Sequence, residues 1–344
     1  MKTAVIIPNY NGKRFLDPCM SALSGQTYRD FRVIIVDNGS TDGSVEKIRS
    51  YEEKGLCESV LLPENTGFSG AVNAGIEHAL KMPAPPEYIV LLNNDTEANS
   101  GYLASMAGLL EADGRKTIGA VSPRMLSMAD HSLIDSAGDG YAVCGWAFQR
   151  GVGRKVSSRK FDGVTGVFSA CAGAAMYRTE ALQKIRFSDG DYFDLRHFAY
   201  LEDVDVSFRM RSEGYRIVYD PGSVVYHYGS GTSGSRYNEF KVRLAARNNV
   251  YLNWKNQPVL MLLLNLPAIT AGLLVKWLFF VKMGYGATYA KGFLEGLQGL
   301  PSLTGHVVYF RPENTGNYLK IELRMIADLF SYLGDLCSRK LFHK

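Results

Sequence analysis

The chain has 344 residues, 46% of them hydrophobic and 21% charged, which allows one large α/β domain with an appended piece, or two domains, and excludes global disorder. The net charge of +4 is unevenly placed: from Lys255 onward ten Lys/Arg face five Asp/Glu, leaving 28 against 29 in residues 1–254. A basic excess confined to a tail rich in Leu, Phe, Trp and Met suits an anionic membrane surface and argues against a nucleic-acid partner. Cys19, Cys57, Cys144, Cys171 and Cys337 are scattered with no C-x-x-C pair, a pattern of reduced cytoplasmic thiols rather than of a disulfide framework or zinc site.

In chain order, Ala4 to Ile7 is a continuous β-favouring run, too short for a signal peptide, ended by Pro8 and the loop Asn9-Tyr10-Asn11-Gly12. Helical spacing in Phe15, Cys19, Ala22 and Leu23 follows. The pattern repeats with a strand over Phe31–Val36, the loop Asp37-Asn38-Gly39-Ser40, and a helix from Ser44 to Tyr51 with capping candidates at Thr41 and Asp42. A third strand, Ser59–Leu62, leads through Glu64–Gly70 into a helix. A fourth, Tyr88–Leu92, stops abruptly in Asn93-Asn94-Asp95. Strands alternating with helices predict a mostly parallel sheet covered on both faces.

Beyond these units, Tyr102–Leu110 reads as a helix, Gly119–Pro123 as a strand, and residues 127–165 as loops and small strands. The small-residue run Ala170–Ala175 lets a backbone or ligand approach closely. The segment from Phe198 enters a helix reaching Arg211, and strands follow over Tyr215–Tyr219 and Val224–His227, the second ending at a Gly/Ser loop, Gly229–Ser235. From Lys255 the composition shifts, with no charged residue until Lys276. That length could span a bilayer, which needs about 20 apolar residues, whereas the interruptions at Asn265, Pro267 and Gly272 suit an interfacial or re-entrant helix pair.

In a parallel sheet four loops converge at the carboxyl ends of the strands: Asn9–Gly12, Asp37–Ser40, Asn65–Ser69 and Asn93–Asp95. Ligands of open α/β sheets bind at that edge. Asp37 can accept from a pyrimidine N–H, the Tyr10 ring can pack on a base, and Asn65-Thr66-Gly67 opens a helix whose N–H groups favour anionic oxygen. Asp95 is placed to hold a divalent cation against a nucleotide diphosphate.

These loops, read together as Ile6–Gly12, Val36–Ser44, Glu64–Phe68, Asn93-Asn94-Asp95 and Glu202-Asp203-Val204-Asp205, resemble the motif series of glycosyltransferase family 2. Within it the likeness is to bacterial rhamnosyltransferases of cell-surface polysaccharide assembly, over about residues 3–254. The resemblance implies a GT-A fold, an α/β sheet with helices on both faces, and an inverting transferase that uses a nucleotide-diphosphate sugar. It places Pro8, Tyr10, Asn11, Asp37, Asn65, Gly67, Asn93 and Asn94 among the nucleotide-sugar contacts. Asp95 falls on the metal-binding last position of the family's D-x-D motif, with Asn93 where many relatives have a first Asp. His227 is then the second candidate ligand, and Asp, His, two diphosphate oxygens and water would complete an octahedral Mg²⁺ or Mn²⁺ site.

By the same resemblance the general base is Asp203, with Glu202 as the other candidate, and Arg236 and Arg247 are either diphosphate clamps or surface residues. The implied reaction passes L-rhamnose from its dTDP conjugate to a lipid-linked or growing glycan at the cytoplasmic face of the plasma membrane. A UDP-linked galactofuranose or N-acetylhexosamine is the alternative donor, and a non-catalytic nucleotide-sugar-binding protein is the alternative class. A sugar-phosphate nucleotidyltransferase would carry a Gly-rich, Arg-containing loop after the first strand, which Asn9–Gly12 is not. The expected division is a GT-A domain over residues 1–254 and a helical, basic and apolar membrane-associated region over 255–344.

Overall fold

The computed structural model describes residues 2–229, 237–308 and 310–342. Its first half runs β1 (Thr3–Asn9), α1 (Lys13–Ser24), β2 (Phe31–Asn38), α2 (Ser44–Glu53), β3 (Glu58–Leu62), α3 (Gly67–Leu80), β4 (Tyr88–Leu91), β5 (Thr96–Ala98), α4 (Tyr102–Ala112) and β6 (Ile118–Ser127). Short strands follow, β7 (Ile134–Ser136), β8 (Asp139–Ala142), β9 (Trp146–Gln149), β10 (Thr165–Gly166) and β11 (Met176–Arg178), then α5 (Thr179–Lys184), α6 (Glu202–Ser212) and β12 (Arg216–His227). The chain ends in helices α7 (Glu239–Asn256), α8 (Val259–Lys282), α9 (Gly286–Gly299) and α10 (Thr315–Phe342).

The main sheet has the order β10-β12-β6-β11-β4-β1-β2-β3, with β5 on β12 and β7 on β6. The first four strands are parallel, as the βα alternation requires. Strand β11 runs antiparallel between β4 and β6, because the chain enters it from the small-residue run that crosses the carboxyl edge of the sheet. The two strands expected over Tyr215–Tyr219 and Val224–His227 are one strand, β12, whose register shifts between Asp220 and Val224. Asp220-Pro221-Gly222 interrupts the apolar pattern there, and a bulge absorbs it.

Alternation along β1 explains why the run reads as apolar throughout. Ala4 and Ile6 pack with Ala71, Val72 and Ile76 of α3 and Val206 and Met210 of α6. Val5 and Ile7 point the other way, to Leu16 and Leu23 of α1, Ile48 of α2 and Leu103 and Met106 of α4. A strand covered on both faces has no polar face to show. A third apolar cluster joins Val204 and Phe208 of α6 to Leu252, Met261, Ile321 and Met325 of the C-terminal helices.

Lys255, where the composition shifts, is fully buried. Its ammonium lies 2.5 Å from Asp194 and 2.9 Å from Asp205 of α6, and Arg209 and Asn256 also bond Asp205. Both carboxyls are held well below the ordinary carboxylate range: burial opposes this, but His306 and Lys255 outweigh it at Asp194, and Lys255 and Arg209 at Asp205. Removing one member of such a pair strands the other charge. Lys255→Met is expected to cost about 3–5 kcal/mol, read by denaturant unfolding; a loss below about 1 kcal/mol would show that the carboxylates are satisfied without it.

Candidate active site at the strand ends

Asp37 is buried at the end of β2, where its carboxylate accepts from Asn9 Nδ2 at 2.9 Å and from the Ser40 N–H at 2.9 Å. Asn9 Oδ1 in turn accepts from Asn94 Nδ2 at 2.7 Å. This chain of side chains joins the ends of β2, β1 and β4, so Asn94 acts as a brace between loops and its NH₂ group is committed to Asn9. A Cβ on Gly12 would lie 2.0 Å from Asn94 Nδ2, which explains a glycine there. Pro8 is partly buried in β1, in register with Val36. Tyr10 is exposed at 38%, and Asn11, with φ 48°, accepts from the Thr41 N–H at 2.8 Å.

Asn38 Nδ2 donates to Asn65 Oδ1 and to the Gly67 carbonyl, while its Oδ1 accepts from the Thr66 N–H. Asn65 and Gly67 are thereby presented together at the N-terminus of α3. The sequence pointed to Asn65 but not to Asn38, whose role depends on strand adjacency.

Asp95 and His227 are brought together: Oδ1 and Nε2 are 3.6 Å apart. With metal–ligand bonds of about 2.1 Å, two ligands of one ion lie roughly 3.0–4.2 Å apart, so this carboxylate and ring nitrogen can serve one cation. Nδ1 of His227 is 2.8 Å from Asp135 Oδ2, the carboxylate–histidine arrangement that orients a ligating imidazole. Burial lowers the His227 pKa, but the Asp135 hydrogen bond and the Asp95 charge outweigh it and raise it. Asp135 lies in a stretch without clear periodicity and carries no signal of its own in the sequence. Residues 230–235 of the Gly/Ser loop after His227, and Arg236, lie outside the described residues. Arg247 is no diphosphate clamp here: its Nη2 donates to the carbonyls of Arg196 and His197 at 2.7 and 3.0 Å.

Three acidic residues in one turn of α6 occupy three environments. Asp205 is ion-paired, as described above. Glu202 is buried, Oε2 has no partner among the described residues, and burial followed by the Asp203 charge raises its pKa well above the usual range. Asp203 is half-buried; Oδ1 accepts from the Val204 N–H at 2.8 Å and Oδ2 from the Ala172 N–H at 3.4 Å. Burial raises its pKa, against those two backbone donors. Only Asp203 combines a raised pKa with access to solvent, the condition for a general base.

Asp139, Cys171 and Asp203 have ligand atoms within 4.8 Å of one another. Burial raises the Cys171 thiol well above its ordinary value, with Asp139 and Asp203 adding to the shift, and a neutral thiol is a poor ligand for Mg²⁺ or Mn²⁺. The set reads as two neighbouring carboxyls whose titrations are linked through charge. Burial, then the Asp203 charge, pushes Asp139 well above the ordinary range.

The family model for glycosyl transferase family 2 matches residues 4–186. The chain belongs to glycosyltransferase family 2. This transferase is 35% identical over 105 residues to poly(ribitol-phosphate) beta-glucosyltransferase of Bacillus spizizenii, a match covering 30% of the chain and only 16% of that protein. It is 26% identical over 247 residues to N-acetylglucosaminyl-diphospho-decaprenol L-rhamnosyltransferase of Mycobacterium tuberculosis, covering 67% of the chain and 77% of the relative. Its fold matches the mannosyltransferase PcManGT of Pyrobaculum calidifontis, solved with GDP-Man and Mn²⁺, with a TM-score of 0.52 and 19% identity over 97% of the chain and 87% of the other. The architecture is thus GT-A.

The carboxyl pair predicts the acid limb of the pH–rate profile. With Asp203 in the role of base, kcat/KM is expected to fall as pH drops through a value above the ordinary carboxylate pKa of about 3.9. Asp139→Asn, which puts a neutral amide in place of the carboxyl that burial raises most, should leave that limb in place. A limb displaced to lower pH would show that Asp139 carries charge in the working range.

Proposed function

We propose that this transferase is inverting and cation-dependent, and that it passes L-rhamnose from dTDP-rhamnose to a lipid-linked or growing surface glycan. The observation that carries the reading is a two-residue bridge. The Gly173 carbonyl accepts from the Asn93 N–H at 2.8 Å, and the adjoining Ala172 N–H reaches Asp203 at 3.4 Å. The metal-site loop and the base are therefore held one residue apart across the sheet edge. The mycobacterial relative, by its name a rhamnosyltransferase acting on a lipid diphosphate, supports the donor and acceptor classes.

In this reading Asp203 removes the proton from the acceptor hydroxyl. The freed oxygen forms the new bond at the anomeric carbon from the face opposite the nucleotide, and the C–O bond to the diphosphate breaks. Asp95 and His227 would hold a divalent cation, which when bound supplies positive charge to the leaving diphosphate. Lys241, lowered by burial against the opposing charge of Asp95, adds a cation near this position.

Asp203→Asn is expected to lower turnover by about 10²–10⁴ with the protein still stabilised by dTDP in the presence of Mn²⁺. Wild-type turnover in that variant would remove Asp203 from the role. In thermal shift, stabilisation by dTDP should exceed that by UDP, depend on Mn²⁺, and weaken in Asp95→Ala, His227→Ala and Asp135→Asn. Preference for UDP would select the alternative donor, and no metal-dependent shift with either would count against the transferase site as assigned.

We further propose that the protein sits on the cytoplasmic face of the membrane without crossing it. Among the described residues α8 is the one helix long and apolar enough to cross a bilayer. One side of it is tied to the folded body: Asn265 Nδ2 donates to Gln257 Oε1 and Glu322 Oε2 at 3.0 and 2.9 Å, and Trp146 Nε1 donates to the Gly272 carbonyl at 3.0 Å. The opposite side exposes Leu260, Leu263, Leu264, Leu274 and Leu278. A helix welded to the domain at mid-length and apolar on its free side suits the interface plane. The protein should float with anionic vesicles and be released from native membranes by alkaline carbonate; retention after carbonate would mean that α8 spans.

A further inference from the structure

The residues leading into the acidic turn of α6 adopt a backbone that side chains disfavour. Phe198, Tyr200 and Leu201 have φ of 60°, 72° and 67°, three left-handed residues out of four, none of them glycine, Asn or Asp. Such a conformation persists only where its surroundings impose it. Here the imposing group is one side chain of α7. Asn248 is fully buried, and the carbonyls of His197, Ala199 and Tyr200 lie 2.9, 2.9 and 2.8 Å from its Nδ2, so its two N–H groups are shared among three acceptors. Its Oδ1 accepts from Arg247 Nε at 3.0 Å, so the amide is oriented with nitrogen toward the strained segment.

The segment faces the donor loop on its other side. The Phe198 carbonyl accepts from the Ser69 N–H at 3.2 Å, and a Cβ on Gly67 would lie 2.5 Å from that same oxygen. At its C-terminal end the Leu201 carbonyl accepts from the Asp205 N–H at 3.0 Å, closing the first turn of the helix that carries Asp203. One strained segment thus touches the start of α3 and sets the start of α6.

We propose that Asn248 is a positioning residue for sugar transfer: by gathering three carbonyls on one amide it locks residues 198–201 in the left-handed course that aims Asp203 at the acceptor. This rests on Asp203 as the base. Without the amide the segment relaxes toward ordinary φ, the first turn of α6 rotates, and the carboxylate moves while the nucleotide loops of β1, β2 and β4 stay where their own side-chain network holds them.

The test uses the full-length protein with dTDP-L-rhamnose and a membrane lipid extract, comparing wild type, Asn248→Ala, Asn248→Ser and Asp203→Asn. A displacement of about 1 Å at the reacting centre costs on the order of 10² in rate, so Asn248→Ala is expected to lower kcat about 10²-fold with donor KM within about twofold. Asn248→Ser, which keeps one donor, should lose less. Unchanged kcat, or a change confined to KM, overturns the inference. If Asp203→Asn keeps wild-type turnover the base assignment fails instead, so the two failures are distinct. Hydrogen exchange on the same variants needs no substrate: the Ser69 and Asp205 amides should lose protection in Asn248→Ala, or in Asn248→Ser should the alanine variant not fold, and unchanged protection at both overturns the inference.

Discussion

Lys255 is an ammonium with no solvent contact set between two buried carboxylates, and the placement of α6 depends on it. Desolvating three charges is costly, and an apolar substitute of the same shape could be as stable. What the ionic arrangement adds is direction. Asp205 accepts from Lys255, Arg209 and Asn256, and those donors come from α6 itself and from the last turn of α7. The helix bearing the acidic cluster is therefore registered against α7 by charge and hydrogen bonds, where packing alone would let it slide.

That registration separates chemically similar groups. Asp205 is spent on structure, Glu202 faces inward, and Asp203 alone reaches solvent with a raised pKa. The same residue types two positions apart are pushed in opposite directions by burial and partner charge, which is how one acidic run can supply both a structural anion and, in the proposed mechanism, a base. Sequence alone leaves Glu202 and Asp203 as alternatives because helix periodicity puts adjacent residues about 100° apart and does not say which side is buried.

What was legible in the sequence was whatever repeats locally. The first four strands and their loops show as apolar runs broken by Asn, Asp and Gly, and the ends of β1, β2 and β4 converge as a parallel sheet demands. The bond from Asn94 to Asn9, 85 residues earlier, has no local sign in the sequence. Asn38, Asp135 and Asn248 act on partners distant in sequence and leave no periodic trace. Arg247 resembled an anion clamp because a lone Arg after a polar loop looks the same whether it faces solvent or two backbone carbonyls. The β12 bulge looked like a strand break, since Pro and Gly mark both.

The weakly patterned stretch after β6 has the largest structural consequence for its length. Asp135 orients His227, and Asp139, four residues on, lies beside Asp203, so one short segment reaches both the Asp95–His227 pair and the acidic turn of α6. That segment is braced from outside. The Tyr141 N–H donates to Asp328 at 3.1 Å and the Val143 N–H to the Met325 carbonyl at 3.1 Å, both in α10, where Tyr318, Ile321, Met325 and Asp328 form the buried stripe. The other side of α10 exposes Leu319, Leu323 and Phe330. A surface that covers those residues lies one helix diameter from the hairpin that carries Asp139. The apolar C-terminal helices are therefore part of the scaffold of the site as well as the part of the protein that meets the membrane in the proposed arrangement.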